Sequence, residues 1–446
     1  MQRRIRLFTF ILAVAFVGIS ATTMRADEVT DWNQILFQAF IIDNTPQVNF
    51  TRSAAIVQAS VFDAVNGIER RYTPIHVIQD APHGASARAA AVQAAYASLV
   101  KIYPGQQSMF DAARAVSLAA ILATNGSWHE EQRRQRAVDL GVQWGQQVAD
   151  AIWAWRSTDG FTPPPPPILG GTGVGEWRPT PPAFLPGRGY QFSYMTPWVI
   201  ASPSQFRPAG PPALSSARYA EVFNESKAYG SATSIVRTAD QTLYSIFWQG
   251  AVNRVWSRVA IELGAERHTT LLQNALLLSE LNVAIADATI AGFDAKYHYN
   301  FWRPITAIPL ADTDGNPATI ADPNWVPLIV TPPHPDYVST HSALTAAAIA
   351  VLSHYFGNNS SFVVDSEFSP GVVRSFSDFP SAQVELNNAR VFGGIHFRTA
   401  CEDGEALGTA VGRFVLRSAF QRVDGHDWRD GMSTTVDDDR EIRGSD

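Results

Sequence analysis

Residues 332–357 read PPHPDYVSTHSALTAAAIAVLSHYFG. Three prolines stop any helix arriving from upstream. From Val338 to Phe356 small and apolar residues recur at helical spacing, and Gly357 ends the run. The stretch therefore predicts a loop feeding a well-formed core helix. Ser339, Thr340 and His341 fall in its first turn, where unpaired N–H groups and the helix dipole favour an anion.

The same helical period recurs outward along the chain. It predicts helices over 51–70, 85–103, 128–155, 215–229, 234–263, 269–293 and 405–420, with alanine frequent throughout. Alternating strand patterns are scarce, so the fold class is all-α, a helical bundle interrupted by long Pro/Gly-rich loops. The largest interruption, 162–212, holds five consecutive prolines and several glycines, and it cannot be regular helix. Its many aromatics argue for an ordered excursion packed on the helices and covering a site, rather than a free linker.

Two further clusters flank the quoted helix. Lys296 and Arg303, with Pro304 next, follow the helix expected to end near Asp294. A turn there lets both cations reach one point, and Pro304 biases Arg303 toward extended backbone. Arg390 and His396 are joined through Gly393 and Gly394, which permit a tight backbone close to a ligand. Each piece alone also fits a bland reading: solvated cations, an N-cap serine, a helix–turn–helix with incidental charge. Together they supply three fixed cations, a hydroxyl, helix-start N–H groups and two histidines, an inventory suited to a tetrahedral oxyanion such as phosphate or vanadate.

Composition sets the background. Of 446 residues, 46% are hydrophobic and 17% charged, which allows a large core. The net charge of −7 argues against a nucleic-acid partner and makes local positive charge informative. Arg3, Arg4 and Arg6 precede an apolar stretch, Leu7 to Ile19, and small residues follow to Ala26. Residues 1–26 are read as a signal peptide, giving an exported periplasmic or extracellular protein with no stable membrane span after its removal. A single domain is expected over 27–436 and a frayed acidic tail over 437–446. The single cysteine, Cys401, excludes an intramolecular disulfide, and a lone thiol beside His396 reads as packing.

In order and spacing the three clusters resemble the vanadium-dependent haloperoxidases, bacterial members especially, and the wider type 2 phosphatidic-acid-phosphatase superfamily. The family signature is Lys-x6-Arg-Pro, then Pro-Ser-Gly-His, then Ser-Arg-x5-His-x3-Asp. Lys296, Arg303 and Pro304 match the first element, Ser339 and His341 the second, Arg390 and His396 the third. The resemblance spans 286–412. It implies a helical-bundle fold, vanadate as prosthetic group, and hydrogen peroxide oxidising a halide. By that match His396 is the vanadium-binding histidine and His341 the acid–base histidine. Lys296, Arg303, Ser339, Thr340 and Arg390 hold the oxygens, and Lys296 also stabilises charge on the leaving oxygen. His334 takes the place that is aromatic in chloroperoxidases and histidine in bromoperoxidases, which points to bromide or iodide. Asp287 is expected to support the site arginines from behind.

The chain departs from the signature at four places. Val338 replaces its proline and Ala389 its serine. Thr340 replaces the glycine, and a β-branched residue there is expected to crowd the anion or resist a left-handed backbone, so that Thr340→Gly should raise vanadate affinity. Ala400 replaces the aspartate four residues after His396, leaving Glu402 or Asp403 to supply the acid. An acid phosphatase working through a phosphohistidine on the same site, a non-catalytic oxyanion-binding protein, and a homo-oligomer all remain compatible with these residues.

Overall fold

Alanine-rich amphipathic runs, capped by short polar residues, build thirteen α-helices among the described residues, 27–123 and 127–423 of this computed structural model. They are α1 (Glu28–Asp43), α2 (Gln47–Glu69), α3 (Ala87–Ile102), α4 (Gln107–Leu122), α5 (Trp128–Arg156), α6 (Ala217–Gly230), α7 (Ala239–Phe247), α8 (Val252–Glu266) and α9 (Leu271–Tyr299). The short α10 (Pro304–Ala307) follows, then α11 (Thr340–Phe356), α12 (Phe379–Phe392) and α13 (Arg398–Ser418). One antiparallel hairpin, β1 (Phe362–Asp365) with β2 (Val373–Phe376), joins α11 to α12. The all-α reading is correct. The proposed signal peptide, 1–26, and acidic tail, 437–446, lie outside the described residues.

Helix α9 is the axis. Thr270 and Gln273 close its N-terminus with a capping box, and it is buried from Asn274 to Lys296. It packs against α2 on one side and against α11 and α13 on another. By length and composition α9 is apolar enough to cross a membrane, but burial inside the bundle accounts for that apolarity.

Glycines at intervals of four set two close helix pairs. On α13, a Cβ at Gly404, Gly408 or Gly412 would lie 2.6, 1.9 or 2.7 Å from the carbonyl oxygens of Ser339, Ala343 and Ala347 on or beside α11. On α5, Gly141 and Gly145 each leave 2.4 Å between a built Cβ and the carbonyls of Ser86 and Ala90 at α3. Backbones touch at both seams, and the first seam runs up to the cap of α11.

Three sequence-based expectations need correction. The single helix over 234–263 is two, α7 and α8, because the Ala251 N–H bonds the Glu367 carboxylate, at 3.0 Å, instead of a helical carbonyl. Helix α9 runs past Asp294 to Tyr299 and stops where Asn300 turns left-handed (φ 47°), so Lys296 is in its last turn and not in a following loop. Asp287 supports no site arginine. Its buried carboxylate accepts N–H bonds from Trp198, Val199 and Ile200 at 2.7, 2.8 and 3.0 Å, which pins the excursion to α9. Burial pushes its pKa up to about 6.

Other bonds fasten the same excursion. Arg207 pairs with Asp294 at 2.6 Å, and the Trp177 N–H donates to the Asn300 carbonyl. The Arg188 N–H donates to the Pro333 carbonyl, immediately before His334. Trp177 and Phe192 are buried within it.

Candidate active site

The end of α9, the turn before α10, the loop 332–338, the start of α11 and the α12–α13 corner meet at one place. Arg303 stands in extended backbone (φ −90°, ψ 157°) just before Pro304, which is the first residue of α10. Its guanidinium is fully buried. It donates from Nε to the His334 carbonyl at 2.9 Å, from Nη2 to His334 Nδ1 at 2.9 Å, and from Nη1 to the Ile395 carbonyl at 2.6 Å. The same Nη1 lies 3.1 Å from His396 Nε2. Arg303 thus links two histidines that are far apart in sequence.

Lys296 is also fully buried, and its ammonium donates to the carbonyls of Pro335, Asp336 and Val338. All three N–H bonds of the ammonium are in use. Lys296 therefore shapes the turn that presents Ser339, and it reaches an oxyanion only by exchanging one of these carbonyls. Burial and the neighbouring Arg303 hold its pKa well below the usual lysine range.

Ser339 is the N-cap of α11. Its N–H is held by the Ala400 carbonyl at 2.7 Å, and its hydroxyl oxygen accepts from the Ser342 N–H and hydroxyl at 3.3 and 2.9 Å. The hydroxyl proton of Ser339 is left to donate. Cys401 is buried against Ser339 and Ser342, and burial pushes the thiol up to about 11, so it stays protonated. Thr340 opens α11 in ordinary helical backbone. The left-handed conformation open to a glycine is not used, and the Thr340 hydroxyl is buried with no partner.

Arg390, near the end of α12, is buried with Nε unpartnered and a single long bond, 3.5 Å, from Nη2 to the Ser245 carbonyl. No hydrogen bond or ion pair joins His341 to Lys296, Arg303 or His396. It lines a narrow cleft with Phe247, Trp248 and Trp256, and its Nε2 is buried and unpartnered. Burial, then Arg390, lowers its pKa to about 3. His334 and His396 are pushed well below the usual histidine range by burial and the cations around them. All three imidazoles are neutral near pH 7.

One site residue escaped the sequence analysis. Asp336 is buried between Arg303 and His396, with Oδ1 2.8 Å from His396 Nδ1 and 3.7 Å from Arg303 Nη1. Burial drives its pKa up to about 7 against the pull of Arg303 and Lys296. A carboxylate inside a proline-rich run three residues before an N-cap was the available signal. The two acids that sequence offered instead are engaged elsewhere: Glu402 pairs with Arg218 at 2.6 Å, and Asp403 accepts from the Tyr337 hydroxyl at 2.8 Å.

Residues 276–425, which hold every cluster above, match the family model of the VCPO second helical-bundle domain. A crystal structure of a bacterial vanadium-dependent iodoperoxidase superposes with a TM-score of 0.76 at 26% identity, over 89% of this chain and 97% of that one. Residues 276–425 thus resemble that family's second helical-bundle domain, and the chain as a whole shares the iodoperoxidase's fold. Holo and apo crystal structures of a bacterial vanadium-dependent chloroperoxidase share the fold, each at 16% identity. Their TM-scores are 0.64 and 0.62, over 90% and 84% of this chain and 94% and 95% of theirs. Among curated proteins there is no sequence match.

Proposed function

We propose that this chain is a vanadate-dependent haloperoxidase, converting hydrogen peroxide, a halide and a proton to a hypohalous acid and water. One observation carries the reading. Lys296, Arg303 and Arg390 are buried together, and their only ion pair among the described residues is that of Arg303 with Asp336. Three buried cations facing one carboxylate are costly unless an anion joins them. Arg390 Nε, the Thr340 hydroxyl and His341 Nε2 are likewise buried without partners. Such a donor set fits a multiply charged oxyanion.

Bound vanadate would supply the Lewis-acid centre that activates peroxide. Arg303 and Arg390 balance the anion's charge, and Ser339 and Thr340 offer it hydroxyl protons. His396 would offer its Nε2 lone pair to vanadium in place of the Arg303 contact. His341, neutral and with Nε2 free, is the group able to take a proton, and a bound anion raises its affinity for that proton by offsetting Arg390. We assign His334 to halide selection, with bromide or iodide favoured.

The test is one purified sample, dialysed with vanadate and assayed with peroxide and bromide, iodide or chloride, and separately with a phosphate ester. Halide oxidation that depends on vanadate is expected, and it should disappear in His396→Ala together with vanadium retained after dialysis. Ester hydrolysis without halide oxidation would instead make the site a phosphatase.

A further inference from the structure

Asp336 gives His396 a partner that the sequence motif does not announce. The carboxylate is fully buried, and neither oxygen holds an aligned hydrogen bond. A buried carboxylate in that condition takes the nearest donor it can reach. Of the side-chain nitrogens His396 Nδ1 is the nearer, at 2.8 Å against 3.7 Å to Arg303 Nη1, and the Phe397 backbone N–H also faces the carboxylate. Rotation about the last side-chain torsion of a histidine is soft, so a small turn of the ring aligns the pair.

The other ring nitrogen gives the complementary constraint. Arg303 Nη1 stands 3.1 Å from His396 Nε2, nearer than its 3.4 Å to Nδ1. A guanidinium only donates, so Nε2 must present a lone pair; a carboxylate only accepts, so Nδ1 must carry the hydrogen. The two shortest contacts, Asp336 to Nδ1 and Arg303 to Nε2, ask for the same neutral tautomer. No other acid competes for the role, since position 400 is alanine and both Glu402 and Asp403 are paired elsewhere.

We propose that Asp336 is the positioning residue of His396, receiving the Nδ1 hydrogen and so keeping the Nε2 lone pair turned toward the oxyanion cradle. This rests on the reading of the cradle as an oxyanion site. The logic is the same whether vanadium or phosphorus is the atom Nε2 meets, because a hydrogen on Nε2 would block either bond. The backbone holds Asp336 in place: its N–H donates to the Phe301 carbonyl at 2.9 Å, and its own carbonyl accepts from Lys296 at 3.1 Å.

The experiment reads the tautomer directly. Full-length protein labelled with nitrogen-15 histidine is compared by long-range nitrogen–proton NMR at about pH 8.5, above the range where Asp336 holds a proton. His396→Gln assigns the resonance. Wild type should show the Nδ1–H form, Asp336→Asn should keep it through its amide oxygen, and the similarly sized Asp336→Leu should move to Nε2–H. Equilibrium dialysis with vanadate should find the leucine variant binding about 10-fold more weakly than the asparagine variant, the scale on which such orienting partners act. An Nε2–H form in wild type overturns the proposal, as does a folded leucine variant that keeps Nδ1–H. If the leucine variant does not fold, the wild-type tautomer alone decides. Wild type in the Nδ1–H form that takes up neither vanadate nor phosphate would overturn the oxyanion reading and leave the positioning role standing.

Discussion

Arg303 holds His334 twice, donating from Nη2 to the ring Nδ1 and from Nε to the same residue's carbonyl, each at 2.9 Å. The ring's orientation is thereby tied to a cation at the centre of the site. With Nδ1 accepting, neutral His334 carries its hydrogen on Nε2, a donor that a halide can meet. His334→Phe should leave the fold intact and vanadate uptake nearly unchanged, while bromide turnover falls about 10-fold, the size of one lost bond to a charged group. Steady-state rates for the three halides check this. Unchanged ratios among them would remove His334 from halide selection.

The Thr340 hydroxyl is buried without a partner, and its backbone is ordinary helix. Thr340→Val keeps the shape and deletes the donor, so vanadate affinity should drop about 10-fold. Thr340→Gly should also weaken binding and in addition loosen the helix start. This reverses the expectation drawn from sequence, where glycine was to relieve crowding. Binding isotherms for both variants decide it, and tighter binding by the glycine variant would restore the crowding argument.

His341 has a folded-state pKa near 3 against an ordinary value of 6.5. The unfolded chain therefore binds a proton that the folded one refuses, and this contribution to stability is lost as pH falls from about 6.5 toward 3. Compared with His341→Gln, the wild-type protein should lose stability over that window. The slope cannot exceed about 1.4 kcal/mol per pH unit, the limit for one proton. Denaturant melts at several pH values measure it; parallel curves for the two proteins would contradict the shift. Added vanadate or phosphate should reduce the slope.

Gly408 sits where a Cβ would come 1.9 Å from the Ala343 carbonyl. Gly408→Ala must push α13 away from α11, at a cost of about 1–3 kcal/mol. Because Gly404 of the same seam faces the Ser339 carbonyl, vanadate affinity should fall along with the melting temperature. Gly315→Ala, in open space but at φ 74°, is a useful contrast: a stability loss from backbone conformation with no effect on the anion.

What sequence could show was local. The pair Arg303–Pro304 and the N-cap Ser339 were legible because a proline and a cap act on their own neighbours. The continuation of α9 through Lys296 was also readable, since Asn300 is a residue that tolerates a left-handed stop. The break between α7 and α8 was not, because the group that captures the Ala251 N–H is Glu367, 116 residues away. Asp336 was missed for the same reason: its partner His396 comes from another helix corner, and only the fold brings the two together. Asp287 was misassigned because helical spacing cannot say which loop will cover a given face.

The glycine seam has a thermodynamic consequence for capture of the anion. The Ser339 N–H is bonded to the Ala400 carbonyl, and Gly404 lies against the Ser339 carbonyl, so the peptide units on both sides of the Ser339 Cα are held by α13. Lys296 fixes the preceding turn through three carbonyls. The ordering entropy of this segment is therefore lost when the chain folds, not when an ion arrives. An arriving ion sheds its hydration into donors that already stand still.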